Sequence, residues 1–141
     1  MKIAIYPGSF NPFHEGHVSI VQKSLNMFDL VYIVVTQNPD KELLNNFELN
    51  HKNIQELFKE NSKVIVLINK TKLTGTLANE LGANFLIRSA RTKIDFDYEL
   101  NLANANNFVN NTLETVILFP TYDYKDISST LIRHKKLMKT N

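Results

Sequence analysis

With 141 residues, 43% of them hydrophobic, the chain can bury one sizeable core but hardly two, so one domain over residues 1–141 is expected. It has no cysteine, which excludes a disulfide framework, a thiolate zinc site and a cysteine nucleophile. The formal net charge of +2 is too mild for a whole-surface affinity for nucleic acid. No run approaches the roughly 20 apolar residues of a membrane span, and the opening MKIAIYPG turns too early for a signal peptide. A cytoplasmic protein that engages neither nucleic acid nor membrane is expected.

In chain order, short apolar runs rich in Val and Ile alternate with longer amphipathic ones. Residues 2–6, 30–36, 63–68, 84–87 and 115–119 read as strands, several of them apolar throughout, as strands buried on both faces are. Residues 16–27, 47–60, 74–81, 94–108 and 128–138 carry helical spacing. Strict alternation of strand and helix implies right-handed crossovers. The expected fold is α/β, a single Rossmann-like doubly wound domain with a five-stranded parallel sheet flanked by helices. Ligands in such folds bind at the carboxyl ends of the strands, where the connections change direction.

The stretch Tyr6 to His17, YPGSFNPFHEGH, stands at the first of these ends. Pro7 and Gly8 are read as the turn off the strand, and Gly8 leaves the backbone bare for a ligand. Ser9 adds a hydroxyl donor, and Asn11-Pro12 marks a second bend before a helix. A helix start offers unpaired N–H groups and a positive dipole end to an anion. His14 and His17, three apart, face the same way if both lie in the first turn, and an imidazole donates to phosphate without being charged. Taken singly, these signals are compatible with a plain turn, a helix cap or a chance metal site. Together they point to a phosphate, and no third ligand stands at a spacing that would suggest zinc.

Arg88 and Arg91 follow the fourth strand. An arginine forks paired N–H donors toward phosphate oxygens and stays charged; an ion pair with Asp95, Asp97 or Glu99 is the alternative, and both can hold. Ser128, Ser129 and Thr130 suit a helix N-cap, which is compatible with anion binding at the same turn. On residues alone Lys41 reads as a solvated loop lysine, and Asp97 as part of a solvated helix face.

The segment around His17 is similar to the HxGH or TxGH signature of the nucleotidyltransferase superfamily, and Ile127 to Arg133, ISSTLIR, resembles its ISSTxIR element. Leu86 to Arg91, LIRSAR, and Asp95 to Leu100, DFDYEL, resemble the RGLR and DFxYE runs of the phosphopantetheine adenylyltransferase family, with Ser89 in place of a glycine. The resemblance runs in order from Lys2 to about Arg133.

It implies ATP and 4′-phosphopantetheine as partners, Mg²⁺ carried with the nucleotide, a role in coenzyme A biosynthesis and a hexameric homo-oligomer. It implies that Lys41, Ser9, Thr74 and Arg88 meet phosphopantetheine, Thr74 being a weak match in chemical type. It implies an ATP site of Ser9, Phe10, His14, His17, Ser89, Ala90, Arg91, Glu99, the segment Tyr124, Lys125, Asp126 and Ile127, and the turn Ser128, Ser129 and Thr130.

Donors for phosphate oxygens are plentiful, and there is no thiol and no obvious Ser-His-Asp set, so direct in-line transfer is expected, with His17 and Ser9, and Lys41 as the resemblance implies, as catalytic groups. Two other readings share these motifs. One is a sister transferase, acting on nicotinate mononucleotide or on glycerol phosphate with CTP; the other is a non-catalytic nucleotide sensor.

Overall fold

A computed structural model of the chain describes residues 1–10, 12–37, 47–121 and 129–140. Ten elements follow one another: β1 (Ile3–Gly8), α1 (Glu15–Leu25), β2 (Leu30–Thr36), α2 (Phe47–Leu57), β3 (Val64–Asn69), α3 (Thr74–Leu81), β4 (Phe85–Ser89), α4 (Lys93–Val109), β5 (Glu114–Leu118) and α5 (Ser129–Thr140). The strands form one parallel sheet in the order β3-β2-β1-β4-β5. The chain builds outward from β1 to β3, then crosses back to lay β4 on the other side of β1. That reversal is a switch point, and it opens between the carboxyl ends of β1 and β4.

The continuous apolar runs have a direct cause: both faces of the sheet are covered. On one face Ile20 and Val21 of α1 and Ile54 of α2 pack with Ala4, Tyr6, Val31, Ile33, Val35 and Ile87. On the other, Ala78 of α3 and Leu113 pack with Ile5, Val34 and Leu86. Each of these fully buried Ile and Leu side chains stabilises the fold by roughly 2–3 kcal/mol relative to exposure. Helices α3 and α4 approach closely at Gly75, where an added Cβ would stand 3.0 Å from Val109. Among the described residues no helix is long and apolar enough to cross a membrane.

The first strand corrects one expectation. Pro7 and Gly8 do not turn the chain off β1; they are its last two residues, in register with Val34 and Val35. A proline is tolerated in this central strand because the β1–β4 ladder ends at Ile5 and Leu86, short of Pro7, so no partner there needs its missing N–H. The Pro7 carbonyl instead accepts a bond from Arg88 Nη1 at 3.0 Å.

Candidate active site

The turn after β1 is made at Phe10, whose φ of 48° lies in the left-handed region that a side chain disfavours. Burial holds it there. The Phe10 ring meets Tyr6, Phe13 and His17 edge-on at centroid distances of 5.2, 5.1 and 5.2 Å. It also lies where a Gly8 side chain would go, 2.8 Å from an ideal Cβ. The bareness of Gly8 thus serves an aromatic ring of the chain itself, and Gly8 also lines a cleft at the carboxyl edge, as the sequence reading of a bare backbone beside a ligand requires. Asn50 of α2 reaches the turn, its Nδ2 donating to the Ser9 carbonyl at 3.5 Å.

Helix α1 then begins with two imidazoles in place of the usual hydroxyl and carboxylate. His14 is the N-cap, its Nδ1 accepting the Gly16 N–H at 3.1 Å, while His17 Nδ1 accepts the His14 N–H at 3.1 Å. This reciprocal pair is a capping box. Nitrogens that accept these bonds carry no proton, so each neutral ring bears its hydrogen on Nε2, as a donor. Gly16 makes room for the His14 ring, which would stand 2.8 Å from its Cβ. The His14 and His17 ring centroids are 3.9 Å apart. Burial, with smaller contributions from His14 and the Arg91 cation, lowers the His17 pKa to about 4, so at neutral pH the ring is an uncharged donor.

The residues that end β4 divide between the two faces. Arg88 Nε and Nη2 grip both oxygens of Glu99 in α4, at 2.7 and 2.8 Å. Glu99 is 5% exposed, and its carboxylate raises the Arg88 pKa against the opposing effect of burial. Ser89 lies within hydrogen-bonding reach of the Tyr6 phenol, whose pKa burial pushes up to about 12. Ala90 is buried. Arg91 is exposed and makes no ion pair among the described residues; it is the backbone N–H of Arg91 that meets Asp95, at 3.3 Å. Asp95 belongs to the start of α4, where its own N–H bonds the Thr92 hydroxyl at 3.1 Å. Asp97 is exposed.

A cleft of about 790 Å³ opens at the carboxyl edge, and Ser9, Thr74 and Arg88 all line it. Pro7 and Gly8 line it as well, and the remaining walls escaped the sequence reading. Tyr98, Leu102 and Asn106 present one stripe of α4 to it, and Gln37, Asn69 and Lys70 come from the ends of β2 and β3. The spacing of four along α4 was the signal available for the stripe. Asn69 shapes the β3–α3 loop by donating to the Lys72 carbonyl at 2.8 Å and accepting the Lys72 N–H at 3.0 Å.

His14, His17 and Arg91 do not line this cleft. They lie beside it at the start of α1 and beyond β4, close enough for Arg91 to act on His17 electrostatically. The segment that follows β5 is tied to the same end of α1, with Ser19 Oγ accepting the Thr121 N–H at 3.1 Å. Ser129 and Thr130 open α5. Lys41, Tyr124, Lys125, Asp126, Ile127 and Ser128 lie outside the described residues.

Comparison with known proteins narrows what this edge serves. The cytidylyltransferase-like family model matches residues 5–135. The chain is 43% identical over 139 residues, 99% of each chain, to the phosphopantetheine adenylyltransferase of Mycoplasma capricolum. It is 37% identical over 132 residues, 94% of this chain and 81% of the other, to that of Francisella philomiragia. The chain belongs to the phosphopantetheine adenylyltransferase family. Among solved structures, a lipopolysaccharide core biosynthesis protein from Thermoplasma volcanium superposes with a TM-score of 0.61 at 18% identity, over 87% of this chain and 99% of that one. At that identity the likeness speaks for the fold alone.

Within the phosphopantetheine adenylyltransferase pattern RGLR this chain departs only in its central pair, Ser89-Ala90. Phe10 is the only non-glycine residue with positive φ among those described, so Ser89 occupies ordinary strand backbone and its Cβ is unstrained.

Proposed function

We propose that the chain transfers the adenylyl group of ATP to 4′-phosphopantetheine, giving dephospho-coenzyme A and pyrophosphate in coenzyme A biosynthesis. Beyond membership of the family, one observation carries the reading. Arg88, clamped by a carboxylate, lines the cleft with Ser9, and beside that cleft a neutral His17 stands near an Arg91 that makes no ion pair among the described residues; the reading takes both as donors to phosphate.

An oxygen of the phosphopantetheine phosphate attacks the α-phosphorus of ATP in line, and the bond from that phosphorus to the β-bridging oxygen breaks. No proton need be removed from the nucleophile, already an anion, so the chain's task is positioning and charge stabilisation. His17 Nε2–H donates to the α-phosphate, and Arg91 holds the leaving pyrophosphate with the turn at Ser128 and Ser129. Ser9 and Lys41 meet the entering phosphate. Arg88 commits three of its N–H groups to Glu99 and Pro7; a guanidinium has five, so two remain for the acceptor. Glu99 acts through Arg88, since both its oxygens are engaged by that residue. The described residues gather no set of three or more metal-ligating side chains, and the reading has Mg²⁺ arrive with ATP, where it would offset phosphate charge. A cytoplasmic setting and a homo-oligomer, by resemblance a hexamer, belong to the same reading, and sedimentation velocity tests the assembly.

The deciding experiment measures pyrophosphate after incubation with Mg²⁺-ATP and 4′-phosphopantetheine, with ATP and nicotinate mononucleotide, and with CTP and glycerol phosphate. Release with the first pair alone is expected. Release only with another pair, or ATP binding without release, overturns the proposal. In the productive assay His17→Ala should turn over about 10²–10³-fold more slowly, the usual loss for one preorganised oxyanion donor.

A further inference from the structure

His17 is held by more than its hydrogen bond. Phe13 lies stacked on the imidazole, centroids 5.1 Å apart and planes 24° from parallel. Phe10 meets the ring edge-on at 5.2 Å and 85°. Phe13 is itself seated, with Phe10 edge-on at 5.1 Å and Phe58, just beyond α2, edge-on at 6.1 Å. The β1–α1 turn and the end of α2 thus both bear on the orientation of one imidazole.

The bond from the His14 N–H places Nδ1, but a hydrogen bond tolerates about 30° of misalignment before it weakens much. A stacked face is less forgiving, because tilting the ring opens a gap on one side and a clash on the other. We propose that Phe13 is a positioning residue for His17, fixing the imidazole plane so that Nε2–H meets the transferred phosphate and keeping water from that face. The proposal rests on the assignment of His17 as the α-phosphate donor. Groups that bear on the protonation of His17 are His14 at the N-cap and Arg91 beyond β4, and both oppose it along with burial. Phe13 supplies part of that burial.

Phe13→Leu keeps an apolar side chain and removes the flat face; Phe13→Tyr restores the face. With Mg²⁺-ATP and 4′-phosphopantetheine, kcat should fall roughly ten- to a hundredfold in Phe13→Leu, the scale of a small misplacement of a catalytic group, with KM little changed. Phe13→Tyr should return close to the wild-type rate. NMR titration of the ligand-free protein should find His17 near 4 in the wild type and moved up toward its ordinary value in Phe13→Leu. Unchanged turnover in Phe13→Leu overturns the proposal, as does an unmoved His17 titration, or an equal loss of turnover in Phe13→Tyr. If a thermal melt shows Phe13→Leu unfolded, Phe13→Met takes the same readouts. His17→Ala keeps the two ideas apart. Near-normal turnover there removes the donor assignment, whereas an inactive His17→Ala beside a fully active Phe13→Leu removes only the positioning role.

Discussion

A Cβ added at Gly8 would stand 2.8 Å from the Phe10 ring, and Phe10, 3% exposed, has nowhere to retreat. Gly8→Ala should therefore destabilise the fold by roughly 1–3 kcal/mol, the range for overpacking a filled core, read as a lower urea midpoint at unchanged slope. The sequence shows that a small residue belongs at position 8 but not what fills the space, because ring-on-backbone contact follows no fixed spacing. The same holds for Arg88. The sequence offered Asp95, Asp97 or Glu99 as its partner; the structure selects Glu99, eleven positions on, because α4 folds back over the β4 end. Glu99→Ala would leave a largely buried guanidinium without its carboxylate. With Arg88 22% exposed at its side chain, solvent softens the loss to the lower end of the buried-pair range, about 3 kcal/mol. Glu99→Gln, which keeps one acceptor, should lose less. Equal midpoints for Glu99→Ala and the wild type would show that the clamp contributes nothing.

At the level of elements, the pattern of apolar residues was enough wherever packing is regular. Residues 30–36 form β2 and residues 74–81 form α3 with the bounds expected, since one is a continuous Val and Ile run buried on both faces and the other ends at a glycine. Most other ends moved by one to three residues, and two of them moved where side chains take over from backbone: β1 runs on through Pro7 because its neighbouring ladder has ended, and α1 starts earlier because an imidazole caps it. The α3 terminus isolates one such local effect. Gly82 closes the helix at φ 71°, with nothing within 4 Å of where a Cβ would stand. With steric crowding excluded, Gly82→Ala should destabilise by about 1 kcal/mol through backbone strain alone, and Gly82→Asn by less, since asparagine tolerates the left-handed region. Thermal melts of the two variants at one pH would show the ranking, and an alanine variant as stable as the wild type would contradict it.

For the molecule as a whole, the neutral imidazole that suits the chemistry also sets an acid limit on the fold. The His17 pKa lies near 4 in the folded chain against 6.5 for an unperturbed histidine. Between those values the unfolded chain binds the proton and the folded chain does not, so stability rises with pH across that window. The contribution is fully present above about pH 6.5 and is lost as the pH falls toward 4. By pH 5 the loss relative to pH 7 should be on the order of 2 kcal/mol from this residue, the size that linkage assigns to such a difference. Other groups titrate over the same range, so the informative quantity is a difference between two proteins. His17→Gln retains a polar side chain without the titration. Urea unfolding of both chains at pH 7 and pH 5 should show the wild type losing more stability on acidification than His17→Gln. Parallel losses would mean that the folded imidazole takes up its proton near pH 6.5. A ring protonated that readily would be charged in an appreciable fraction of molecules at neutral pH, rather than the wholly neutral donor of the proposed transfer.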